Sequence, residues 1–189
     1  MRAGAVLAPN TILAPSLWFQ AVTGGAQVAK SAAWREAVSP AGPYEIGNVD
    51  PMPAVVQLAA GQLIGERILV AQPVTLESFG MILSSSGGFG VLALYTDVGG
   101  APGPIAASSV PYWVSGGQQE EQALTPATLA PGEYWLMASF EQDTDVFAVP
   151  NGGRVVSYAP HALLAGLPDP LPAAQTYVGG GFNFYVVVR

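Results

Sequence analysis

Three acids alternate in FEQDTD: Glu141, Asp143 and Asp145. On a strand, residues two apart share a face, and in a loop they can converge. Spaced carboxylates of this kind suit a hard cation such as calcium. A pair of them also suits glycoside hydrolysis, one as acid and one as base or nucleophile, and Glu141 with Asp143 would be that pair. EQDTD lacks the glycine and the distal glutamate of an EF-hand loop, so the segment reads as a solvated turn, with calcium as the alternative. Glu120 and Glu121 are adjacent in QQEEQ. Neighbouring strand positions point to opposite faces, so these two do not serve one centre.

A Ser–His–Asp triad needs a histidine base. His161 is the sole histidine, and no glycine-flanked serine elbow accompanies it. Cysteine is absent, which removes thiolate ligands and thiol nucleophiles. No P-loop, dinucleotide fingerprint or zinc spacing is present. The expectation is a protein that is not an enzyme and that has no cofactor and no metal.

Aromatic side chains offer another chemistry, stacking on sugar rings. Tyr112 and Trp113 in VPYWVSGG stand just before a turn and are the candidate glycan-stacking residues. Tyr134 and Trp135 sit inside an alternating run and read as core.

Charge narrows the partners. The net charge is −7, and the basic residues Arg2, Lys30, Arg35, Arg67, Arg154 and Arg189 are scattered. No basic stripe exists for phosphate contacts, so no nucleic-acid partner is expected. No run approaches the roughly 18 apolar residues of a membrane helix, so no membrane partner is expected either. MRAGAVLAPNTILAPSLWFQAV is broken by Pro9, Asn10 and Pro15 and fits a cleaved signal peptide poorly. Charged residues make up only 10% of a chain that is 50% hydrophobic. Part of its surface is therefore expected to be covered by partners, or looped with Gly, Ser and Pro instead of Lys and Glu.

The elements that must position these residues are strands. PVTLESFGMIL (73–83) alternates Val74, Leu76, Ser78, Gly80 and Ile82 against Thr75, Glu77, Phe79 and Met81. FGVLALYT (89–96) and GEYWLMASF (132–140) alternate in the same way, with apolar residues on both faces. FNFYVVVR (182–189) is β-branched and aromatic and reads as a last strand tied into a sheet. Turn signals fall at SSSGG (84–88), DVGGAPG (97–103), VSGGQ (114–118), LAPG (129–132) and NGG (151–153). Short strands at this spacing predict an all-β protein, an antiparallel β-sandwich of jelly-roll type, over residues 53–189. In DVGGAPG, Asp97 can bond the turn backbone, Gly99 and Gly100 supply positive φ, and Pro102 fixes the exit.

Residues 1–52 differ. SLWFQAV (16–22) and AQVAKSAAWREAV (26–38) read as short helices, and SPAGPYEIGNVDPMP (39–53) reads as loop. The segment is an irregular, partly helical arm. It either packs on its own domain or docks on neighbouring subunits.

ERILVAQPVTLESFGMIL, GFGVLALYTDVGGAPGPIAAS and ATLAPGEYWLMASFEQDTDVFAV together resemble a recurrent β-sandwich module of bacteriophage tail-fibre and minor structural proteins. Related modules occur in bacterial extracellular proteins. The match is carried by Leu94, Tyr95, Asp97, Gly99, Gly100, Pro102 and Gly103, then by Leu129, Pro131, Gly132, Tyr134, Trp135 and Leu136. The GLPDPLP stretch, Gly166 to Pro172, is similar to the loop before the last strand of such proteins. The resemblance spans about residues 60–189, and the matched residues are turn and core residues. It implies a virion component, made in the host cytoplasm: a tail, fibre or head-decoration subunit that forms a homo-oligomer and contacts other virion proteins. The alternative is a carbohydrate-binding or adhesion module at the cell surface.

Overall fold

The structure, a computed structural model, describes residues 42–189 apart from 86–87, 117–118 and 172–173, and without the side chains of 119–121, 123, 150 and 151. The arm up to residue 41, with the helices expected at 16–22 and 26–38, lies outside the described residues.

The described residues form twelve strands: β1 (Tyr44–Gly47), β2 (Ala54–Leu58), β3 (Gln62–Val70), β4 (Val74–Ile82), β5 (Gly88–Val98), β6 (Ala101–Ser108), β7 (Tyr112–Val114), β8 (Gln119–Leu129), β9 (Gly132–Phe140), β10 (Thr144–Pro160), β11 (Gln175–Phe182) and β12 (Phe184–Val188). The smaller sheet runs β1-β12-β4-β8. The larger runs β11-β10-β3-β9-β5-β6, with β2 also on β10 and β7 also on β5. Every pairing between these strands is antiparallel. Between the sheets, β1 approaches β3, β12 approaches β9 and β8 approaches β6. This is the expected all-β antiparallel sandwich.

The core between the sheets is built by Phe79, Met81, Leu94, Leu136, Phe184 and Val186, among others, all inaccessible to solvent. A second, smaller cluster lies on the other face of the larger sheet, where Tyr95, Trp135, Met137 and Leu63 pack beneath Leu167 and Leu171. Strands β5 and β9 are thus buried on both faces, which is why their sequences are apolar at nearly every position.

The corner at residues 97–103 forms as its residues dictate. Val98 pairs with Ala101, and Gly99 and Gly100 take φ of 63° and 86°, the left-handed pair that a two-residue hairpin needs. Asp97 Oδ2 accepts the Gly100 N–H at 3.0 Å, and Asp97 Oδ1 accepts the Trp135 indole N–H at 2.7 Å. The Arg67 guanidinium lies 5.7 Å from the centre of the Trp135 ring and pairs with Glu133 at 2.9 Å. The GLPDP loop closes over the same place. Tyr95 Oη donates to the Pro168 carbonyl at 3.1 Å, and Asp169 Oδ1 accepts the Ile105 N–H at 3.0 Å. Burial, aided by Asp169, pushes the Tyr95 phenol above its ordinary range.

Three local expectations change. The even alternation read in β4 breaks between Leu76 and Ser78, which lie opposite the successive residues Val188 and Val187 of β12. A bulge adds a residue and reverses the phase, so Val74 and Leu76 before it and Phe79 and Met81 after it all face the same core. The NGG at 151–153 does not end a strand. β10 continues through it, pairing with β11 at Val149↔Gly181 and again at Arg154↔Gly179. Within the stretch 39–53 read as loop, Tyr44–Gly47 is a strand that pairs with the chain's last strand, Tyr44 opposite Val188. That places these residues in the sandwich and outside an arm ending at 52.

Candidate functional site

The site begins with two facing positions, one on β5 and one on β7. Phe89, between Gly88 and Gly90, lies directly opposite Trp113 of β7. Alternation along β7 turns Tyr112 and Val114 inward, where both pack on the core between the sheets. It turns Trp113 outward, 58% exposed, beside Phe89 at 43%. The two rings stand edge to face, with centroids 5.6 Å apart. Of the two expected stacking residues, Trp113 is therefore exposed and Tyr112 is half-buried against the core. The aromatic neighbour of Trp113 is Phe89, which the alternation of residues 89–96 had assigned to a strand face without showing that this end of it is uncovered.

Across Phe89 on its other side stands Glu141, the first residue after β9. Its N–H donates to the Phe89 carbonyl at 2.8 Å, and its Oε2 accepts the Phe89 N–H at 3.3 Å. Trp113, Phe89 and Glu141 thus form one row across three adjoining segments of the larger sheet. Gly88 keeps the end of the row open. A Cβ at that position would lie 3.0 Å from Glu141 Oε2 and 3.2 Å from Gln142 Nε2. The row offers two aromatic rings, a carboxylate acceptor and, next to it, an amide.

The other acids of FEQDTD go elsewhere. Asp143 Oδ1 accepts the Ala60 N–H at 2.8 Å and so fastens the turn between β2 and β3. The Asp145 N–H donates to Ser85 Oγ at 2.9 Å, and Thr144 Oγ1 donates to the Gln142 carbonyl at 2.9 Å. Among the described residues, no group of three His, Asp or Glu gathers so as to hold a metal ion. The carboxylates of Glu141 and Asp143 thus bond separate backbone amides, those of Phe89 and Ala60. Glu120 and Glu121 continue β8 opposite Met81 and Gly80. His161 is buried, its N–H donates to the Gly61 carbonyl at 2.8 Å, and burial lowers its pKa. Its Nε2 meets no hydroxyl, and the buried Ser139 and Ser157 Oγ atoms have no hydrogen-bond partner either.

A buried acid escaped the sequence reading altogether. Glu66, inside the apolar strand β3, is 1% exposed. Its Oε2 accepts from Arg154 Nη1 at 2.8 Å, and its Oε1 accepts from the Phe182 N–H at 3.1 Å and from Asn48 Nδ2. Burial raises its pKa, while Arg154, the Phe182 amide and Asn48 act in the opposite direction. Both oxygens are engaged, so the group works as a clamp. The signal in the sequence was an acid inside the largely apolar QLIGERILV, whose partners lie 18, 88 and 116 positions away.

Comparisons with protein-family models, with curated proteins and with solved structures each find no match.

Proposed function

We propose that this protein is a non-enzymatic structural subunit of a phage or phage-like particle, forming a homo-oligomer and contacting other virion proteins. One observation carries the reading. The residues on which the chain resembles phage modules lie far apart in sequence and form a single packed unit. Asp97 of the corner accepts from Trp135 of β9, and the loop from Gly166 closes over both strands through Tyr95 and Ile105. The resemblance to those modules thus rests on residues of the scaffold.

The surface supports assembly as well. Leu69, Val98, Val110, Leu164 and Val178 are exposed large apolar residues on a chain with only 10% charge. A surface so poor in charge is what coverage by neighbouring subunits would allow.

Immunogold electron microscopy with antiserum against the protein, applied to particles from its native source, tests the proposal. Gold at a defined position on particles is the expected result and distinguishes head, tail and fibre. Gold on cell envelopes, with bare particles, would overturn it in favour of a surface adhesin.

A further inference from the structure

We infer that Trp113, Phe89 and Glu141, with Gln142 beside them, form a shelf that binds a neutral saccharide. The inference stands on the geometry of that row and does not depend on particle assembly.

Neighbouring strands in a sheet lie about 4.8 Å apart, so the row from Trp113 to Glu141 spans about 10 Å. That is the scale of a short oligosaccharide. The rings are exposed side by side and stand perpendicular, so they do not cover each other face to face. Pyranose rings present C–H faces that pack against such aromatic surfaces, with hydroxyl groups at their rims. The Glu141 carboxylate can accept from those hydroxyls, and bonds to an ionised acceptor are the stronger kind. The Gln142 amide both donates and accepts. Gly88 matters because any side chain there would crowd both polar groups.

Charge chooses among sugars. The shelf carries a carboxylate, no Lys or Arg belongs to the row, and the whole chain has a net charge of −7. Uronates, sialates and phosphorylated glycans would meet like charge, which works against them. A neutral hexose or N-acetylhexosamine chain does not.

The test uses the full chain and a panel of neutral gluco-, galacto-, manno- and N-acetylglucosamine oligosaccharides, with polygalacturonate as the acidic probe. Titration calorimetry and tryptophan emission give the affinities, and sedimentation gives the oligomeric state. At least one neutral oligosaccharide should bind. Trp113→Ala and Phe89→Ala should each weaken it by about tenfold or more at an unchanged melting temperature. Leu69→Ser, an exposed apolar change outside the row, should leave binding intact. Three results would each overturn the inference: no neutral glycan binds, binding survives Trp113→Ala, or polygalacturonate binds more tightly than the neutral chains. So would a change of oligomeric state in Trp113→Ala, because the row would then be a subunit contact.

Discussion

Asn48 and Asn183 bond to each other's strand ends at two of the points where the chain passes from one sheet to the other. Asn48 Nδ2 donates to the Phe182 carbonyl at 2.6 Å, and Asn183 Nδ2 donates to the Asn48 carbonyl at 3.1 Å. Asn48 follows β1 of the smaller sheet and precedes β2, which pairs in the larger. Asn183 separates β11 of the larger sheet from β12 of the smaller. Asn183 also donates to the Asp50 carbonyl at 2.6 Å and accepts the Met52 N–H at 2.8 Å. One side chain thereby satisfies the backbone of a crossing that contributes no ladder of its own.

Asn183→Ala is expected to cost about 3 kcal/mol, since it strands buried donors and acceptors that are expensive to leave unpaired. Urea denaturation measures it. A loss below about 1 kcal/mol would mean that water replaces the amide and that the crossing is not held by this residue.

Glu66 gives the fold a pH dependence of unusual sign for a carboxylate. Its folded pKa is raised above the ordinary 4.5, so the folded state holds its proton more tightly than the unfolded chain does. The stability linked to this proton is fully present below about pH 4.5. It declines as pH rises through the folded pKa. Glu66→Gln should remove that decline, so the wild-type and variant unfolding curves should draw together with rising pH on the wild-type side. A constant difference across the range would show that Glu66 binds its proton equally in the folded and unfolded states.

Trp135 and Asp97 should be energetically coupled. Trp135→Ala removes a fully buried ring and should cost about 3–5 kcal/mol. In a double-mutant cycle, Trp135→Phe and Asp97→Ala should show a coupling of about 1.5–3 kcal/mol, the range of a hydrogen bond to a charged group. Additive effects would mean that the indole N–H finds another acceptor.

The loop over Tyr95 is held by few polar contacts. Asp169→Ala should cost about 1 kcal/mol and should speed amide exchange at Ile105, whose N–H it accepts, and at Leu171, which donates to Gly103. Unchanged exchange at both amides would show that Leu167 and Leu171 hold the loop by packing alone.

The periodicity of β5, β9 and β12 was legible because two-residue alternation follows directly from strand geometry, whatever the partner. The same holds for the corner at Asp97, Gly99 and Gly100, where positive φ and an aspartate bond are local demands. Such features depend on residues within a few positions of each other, so sequence alone determined them, together with the sandwich class. Everything set by pairing across the chain waited for the tertiary structure. The bulge at Leu76–Ser78 depends on the register of β4 against β12. Strand β1 exists because Val188 lies opposite Tyr44. The burial of Glu66 is tolerable only because Arg154, Phe182 and Asn48 arrive from distant parts of the chain. At the candidate site, Trp113 was visible as an aromatic near a turn. Which aromatic stands beside it, and which of three alternating acids lies beyond that aromatic, was decided by the lateral order of β7, β5 and the end of β9, because neighbours across a sheet are set by hydrogen-bond register and not by distance along the sequence.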